Sequence, residues 1–198
     1  KYPEYANTAS LDDLRQKDYS RLDRNHDVYL DYTGGGLYAE SQVEQHHQLL
    51  LNHVFGNPHS TNPTSHYATE LIESTRQTIL KFFNASPDEY VVMFTSNASG
   101  ALKLVGESYP FGKGSNYLLT FDNHNSVNGI REYAIAKGAQ VTYVPVLPPR
   151  MRLDEAKLES LLKLPDGDNC NNLFAFPAQS NFSAVQHPLA WIEKAQAA

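Results

Sequence analysis

Three polar clusters in this sequence carry side chains that can hold an anion, face a flat ring or move a proton. The first is Thr95-Ser96-Asn97-Ala98-Ser99-Gly100. It follows the apolar run 90–94 and opens a helical pattern. That is how a parallel strand hands over to a helix whose first N–H groups can bind an anion. The second cluster, Asp122-Asn123-His124-Asn125-Ser126, follows the strand-like run 117–120. The third, Gln179-Ser180-Asn181, follows the run 173–176. Three polar strand ends point to one site along one edge of a sheet. Neither the dinucleotide fingerprint nor the P-loop glycine pattern is present.

Each candidate has a plainer role beside the chemical one. The Ser99 hydroxyl either caps its helix or donates to a phosphate oxygen. Lys103 lies four residues on, on the same helix side, as a phosphate partner or a solvated lysine. His124 either satisfies its own loop or stacks on a ring and moves a proton near neutral pH. The Asn181 amide either closes an Asx-turn or donates to a ring oxygen. Thr33-Gly34-Gly35-Gly36 is either a flexible turn or a place where backbone approaches a ligand. His46, His47, His53, His59 and His66 crowd one region, yet no pair has metalloprotease spacing, and no metal site is expected.

The elements that must position these groups follow from periodicity. Residues 1–27 read as a polar extension with a weak helix near 11–19. A strand is expected over 28–32. Helices are expected over 40–55, with Val43, Leu50, Leu51 and Val54 as its apolar stripe, and from Ser65, as a cap, to residue 83. Beyond residue 89 strands and helices alternate: strands 90–95, 116–120, 140–144 and 172–176, helices 99–109, 126–137, 154–163 and 188–197. Short, almost wholly apolar strands fit an α/β fold, with a mostly parallel sheet sandwiched by helices. Right-handed crossovers then put every βα loop at the carboxyl edge, where ligands bind.

The chain has 198 residues and formal charge -6, with 16 basic and 22 acidic side chains. Nothing in that balance favours nucleic acid. No apolar run approaches the ~18 residues of a membrane span, and residues 1–5 carry no signal-peptide core. The single cysteine, Cys170, rules out an internal disulfide framework and fits a reducing, cytoplasmic compartment.

Longer phrases carry a resemblance. They are Tyr29-Leu30-Asp31-Tyr32, Phe55-Gly56-Asn57-Pro58-His59-Ser60, Phe94-Thr95-Ser96-Asn97-Ala98-Ser99-Gly100-Ala101-Leu102-Lys103-Leu104, Asn123-His124-Asn125-Ser126-Val127 and Phe176-Pro177-Ala178-Gln179-Ser180-Asn181-Phe182-Ser183. In this order they resemble the first part of a fold-type I, class V aminotransferase-like protein. Within that family the phrases resemble the cysteine desulfurase-like domain of molybdenum cofactor sulfurases. The resemblance implies that residues 28–198 are part of the large domain of a pyridoxal 5'-phosphate-dependent transferase. Asn97, Ala98 and Ser99 would cradle the phosphate, His124 would stack over the pyridine and assist proton transfer, and Asn181 would sit near the ring's 3-oxygen. Thr33, Gly34 and Gly35 would lie near the substrate.

The activity so implied takes sulfur from L-cysteine or acts on another amino acid, in a homodimer when full length. The family's cofactor-binding lysine, ring-nitrogen aspartate and sulfur-carrying cysteine match none of the positions here, Cys170 and the nine lysines included. The chain therefore reads as part of an enzyme, inactive and prone to self-association alone. Another class V aminotransferase or lyase, or a non-catalytic scaffold relative, are the alternatives.

Overall fold

A computed structural model describes residues 2–163 and 170–198. The chain divides into two compact units, Lys1–Val92 and Met93–Ala198. Within the first, a 3-10 turn over Pro3–Thr8 leads into α1 (Ala9–Asp18) and α2 (Ser20–Asn25). Thus the expected single weak helix is a run of three helical segments. α3 spans Glu40–Asn52 and α4 spans Pro63–Phe82. Polar contacts join the early helices. The Asp18 carboxylate, buried, accepts from the Ser41 N–H at 3.0 Å, and Glu40 Oε1 accepts from the Arg21 N–H at 3.2 Å.

Three expectations change in this unit. α4 is capped by Asn62, whose Oδ1 accepts from the Ser65 N–H at 3.0 Å, so Ser65 is the capped residue and not the cap. Pro63 at the first helical position starts the helix three residues early, because its fixed φ and missing N–H suit that place. No strand forms over 28–32, where Val28 is 84% and Leu30 83% exposed. An apolar alternation makes a strand only where a neighbour supplies a ladder, and no described residue does so here.

In the second unit α5 (Ala98–Ser108) is followed by β1 (Asn116–Thr120), α6 (Asn125–Asn128), α7 (Ile130–Ala136) and β2 (Gln140–Val144). A small antiparallel pair, β3 (Val146–Leu147) with β4 (Arg152–Leu153), precedes α8 (Glu155–Leu162). β5 (Leu173–Ala175) and α9 (Trp191–Gln196) complete it. The sheet has the order β2-β1-β5, parallel throughout, with Tyr117 opposite both Val141 and Leu173. β1 is buried along its whole length, which explains its unbroken apolar centre.

Alternation along β1 divides the core between two faces. Tyr117 and Leu119 pack with Ile130 and Ala134 of α7 and with Leu102 of α5. Leu118 and Val144 pack with Leu158 of α8 and Trp191 of α9. Helices thus cover both faces, as the sequence predicts. Burying each such Leu or Trp contributes on the order of 2 kcal/mol. The segment 90–95 does not form the expected strand. Tyr90, Val91, Met93 and Phe94 are each more than half exposed, and no ladder partner occurs among the described residues. The helix expected over 126–137 is broken at Gly129 into α6 and α7, and α9 starts three residues later than periodicity suggests.

Candidate functional site

The site is assembled at the carboxyl ends of β1 and β5. Asn123 joins these two strand ends. Its Nδ2 donates to the Thr120 carbonyl at 3.0 Å, to Thr120 Oγ1 at 2.9 Å and to the Ala175 carbonyl at 3.0 Å. The loop then turns into α6 with His124 as N-cap. His124 Nδ1 accepts from the Ser126 N–H at 3.2 Å. A nitrogen facing an N–H carries no proton, so the neutral ring is protonated at Nε2. That Nε2 edge is left for other work. The Tyr117 hydroxyl donates to the Val127 carbonyl at 2.8 Å, and burial pushes this phenol well above the ordinary tyrosine range. It stays neutral and anchors the loop to β1.

Ser126 ties His124 to the start of α5. Its Oγ lies 3.1 Å from His124 Nδ1 and 2.6 Å from Ser99 Oγ. Asn97 caps α5 instead of Ser99: its Oδ1 accepts from the Gly100 N–H at 2.8 Å. Asn97 is extended, with φ -170°, a conformation open to any residue. The Ser99 hydroxyl is thereby freed from capping and turned toward the His124 loop. The N–H groups of Ala98 and Ser99 open the helix and have no intrahelical acceptor. Two hydroxyls and a helix start form one exposed, anion-suited cluster.

His124 and Asn181 meet at two cavities. A cavity of about 340 Å³ is lined by Leu102, Val105, Val127, Ala175, His124 and Asn181. A second cleft of about 880 Å³ is lined by Phe121, Asp122, Arg131, Tyr143 and Phe182, again with His124 and Asn181. Both lie in the size range of small-molecule sites. The Arg131 guanidinium donates to the Tyr143 hydroxyl at 3.2 Å and to Glu132 at 2.9 Å, contacts that raise its pKa.

Of the predicted site residues, Ser99 and His124 are thus joined through Ser126, and Asn181 shares both cavities with His124. Asn97 and Ala98 sit at the same helix start. Lys103 pairs with Glu107 at 3.6 Å and is a solvated helix lysine. Thr33, Gly34 and Gly35 lie in the first unit, in a turn closed by Gly34 and Gly35 N–H groups on the Asp31 carbonyl, each at 3.1 Å. Of the clustered histidines, His53 stacks on Tyr67, and His66 Nε2 lies 3.1 Å from Glu70 Oε1. Among the described residues no three metal-ligating side chains gather, and no helix is long and apolar enough to cross a membrane. Sequence reasoning passed over Asn123 and Ser126 as site residues. Their placement beside His124 was the available signal.

The profile of the aminotransferase class-V family matches residues 28–196. The chain belongs to that family. A class-V relative, the molybdenum cofactor sulfurase of Arabidopsis thaliana, is 40% identical over 197 residues, which cover 91% of this chain and 24% of the relative. The chain therefore spans about a quarter of the length of that curated relative. Among solved structures, the apo cysteine desulfurase of Thermococcus onnurineus NA1 superposes with a TM-score of 0.76 at 22% identity, covering 94% of this chain and 44% of that one. A C-DES mutant with glycine covalently linked to its PLP cofactor superposes with a TM-score of 0.63 at 20% identity, covering 83% and 41%. These likenesses establish the α/β fold of the class-V, fold-type I proteins.

Proposed function

We propose that this chain supplies the phosphate- and ring-binding half of a pyridoxal 5'-phosphate site in a cysteine desulfurase of the molybdenum cofactor sulfurase kind. The observation that carries the reading is the bonded chain Ser99–Ser126–His124 at the start of α5, with Asn181 on the cavities beside His124. Its donors match the cofactor part by part. Ser99, Ser126 and the first N–H groups of α5 suit a dianionic phosphate. The His124 ring suits a flat pyridine face, and the Asn181 amide suits the ring oxygen.

When bound, pyridoxal phosphate supplies an electron sink for bonds at the amino acid's α-carbon. The residues here do the holding and the proton handling. Asn97 fixes the helix start, and Ser99 and Ser126 orient the phosphate. His124, with Nδ1 accepting from the Ser126 N–H, presents its Nε2 edge to pass a proton. The overall reaction breaks the Cβ–S bond of L-cysteine. Sulfur passes to a cysteine thiolate as a persulfide, and L-alanine leaves. Among the described residues neither cavity is lined by a lysine, so the covalent anchor and the thiolate are assigned to no residue of this reading. The reading extends to residues 28–198 as part of one large domain, to Thr33–Gly35 near substrate, and to a cytoplasmic homodimer.

The test uses the full-length protein. It should bind pyridoxal phosphate and release alanine from L-cysteine. Ser99→Ala should weaken cofactor binding by about tenfold, the scale of a lost hydrogen bond to a charged group. A protein that binds no pyridoxal phosphate, or binds it equally well without Ser99 and His124, refutes the reading. Binding without turnover, in a full-length protein that lacks the family lysine, favours the scaffold relative.

A further inference from the structure

Asp122 and His187 are a buried polar pair. Their residues are 6% and 7% exposed, and His187 Nε2 lies 2.8 Å from Asp122 Oδ2. Asp122 follows β1 and stands two residues before His124. His187 ends the loop that carries Asn181. A second bond joins the same segments: the Ser180 hydroxyl, also buried, donates to the Asp122 carbonyl at 3.1 Å. Ser180 Oγ in turn accepts from the N–H groups of Phe182 and Ser183, at 3.2 and 3.3 Å, which wraps the loop around Asn181. The His187 ring stacks on Trp191 with centroids 5.2 Å apart, and the His187 backbone N–H donates to the Ala178 carbonyl at 2.9 Å. Asn181 is therefore fastened on both sides.

A buried carboxylate–imidazole pair is a poor way to gain stability alone, because desolvation offsets most of the attraction. Here the cost is higher still, since Asp122 Oδ1 is buried without a partner among the described residues. An apolar pair would fill the same space. What an apolar pair cannot do is fix one loop against another in a single direction. The Asp122–His187 contact spans 65 residues of sequence, with its ends on either side of the two candidate ring-contacting residues.

We propose that Asp122 and His187 are positioning residues: they clamp the Asn181 loop onto the end of β1, so that Asn181 and His124 address the same flat ligand. The ligand part of this inference rests on the pyridoxal phosphate reading. The clamp itself does not.

The experiment uses the full-length protein with Asp122→Ala, His187→Ala, His187→Gln and the milder Ser180→Ala. Three quantities are measured: affinity for pyridoxal phosphate, affinity for inorganic phosphate, and amide exchange over 178–187 in the apo protein. The clamp predicts faster exchange over 178–187 in both alanine variants. It also predicts roughly tenfold weaker pyridoxal phosphate binding with inorganic phosphate affinity within about twofold, because the phosphate end is held by Ser99 and Ser126. His187→Gln, which keeps a donor, should recover part of the loss. Ser180→Ala should show the same selectivity, smaller. Equal loss of both ligands, or unchanged exchange over 178–187, overturns the clamp. A wild-type protein that ignores pyridoxal phosphate, yet shows faster exchange in the variants, refutes the cofactor reading and leaves the clamp standing.

Discussion

The two units use similar helices to different effect. In Met93–Ala198, α5, α7, α8 and α9 press their apolar sides onto a sheet, and Tyr117, Leu119, Val144 and Leu158 are at most 1% exposed. In Lys1–Val92 the stripes are as clear in sequence, but Leu22 and Ala68 are the buried hydrophobic residues among those described. Val43, Leu50 and Leu51 of α3 are each more than half exposed, and Phe82 at the end of α4 is 82% exposed. Amphipathic pattern selects the helix. Only a covering surface turns the pattern into stability. The candidate site lies in the unit that has such a surface, where a packed sheet can hold side chains to fixed positions.

Core truncation should separate the units most. Leu119→Ala empties fully buried space and should cost about 3 kcal/mol, while Leu51→Ala, at 65% exposure, should stay within about 0.5 kcal/mol. Denaturant titration of each variant checks both. A cost near that of Leu119→Ala for Leu51→Ala in a longer form of the protein would break the comparison, by showing that another surface covers α3.

Close packing at glycine comes next. A Cβ on Gly106 would sit 2.6 Å from the Tyr133 ring, where α5 meets α7. Gly106→Ala should therefore cost roughly 1–3 kcal/mol. A Cβ on Gly56 would sit 2.8 Å from the Ser65 backbone N, which cannot swing aside as a ring can. Gly56→Ala should thus disturb the start of α4 despite the thin core around it. Melting temperatures give the two costs. A neutral Gly56→Ala would mean that the first unit yields wherever it is pressed.

The two helix caps offer a matched pair. Asn62 and Asn97 each accept from the N–H three residues on, at 3.0 and 2.8 Å. Replacing either by Ala should cost about 1 kcal/mol. Asn97→Ala should also release Ser99 toward capping and lower affinity for inorganic phosphate, an effect with no counterpart at Asn62. Equal consequences at both positions would remove the special status of the α5 start.

Exposed ion pairs should matter least, one in each unit. Arg15 holds the Asp23 carboxyl below its ordinary range from 2.8 Å, and Lys194 does the same to Glu159 from 2.7 Å. A depressed carboxyl contributes stability above its unfolded value, ~4, and loses it as pH falls through the folded value. Asp23→Asn and Glu159→Gln should each slightly flatten the acid limb of a stability–pH curve. Added salt should shrink the difference, because both pairs are solvated. A large or salt-insensitive change would show a pair buried by something more.

Much of this was legible in order. The runs at 116–120 and 140–144 become strands at those residues, β1 buried throughout and β2 half-buried beside it. His124 and Asn181 were legible as strand-end residues, and a parallel sheet sends such ends to one side. The runs at 28–32 and 90–95 looked no different, yet they make no ladder among the described residues. A strand's hydrogen bonds go to another segment, so its own residues cannot guarantee it.

The sequence by itself determined the alternation of helix and strand, the parallel α/β class and the family, because periodicity, short apolar runs and motif phrases are written locally. Tertiary structure alone decided the fine assignments. It gave capping to Asn97 and so freed Ser99. It brought Ser126 to within 2.6 Å of Ser99 across 27 residues, and His187 to within 2.8 Å of Asp122 across 65. The reason is physical: a hydrogen bond depends on where two chain segments arrive in space, and spacing along the sequence carries no record of that distance.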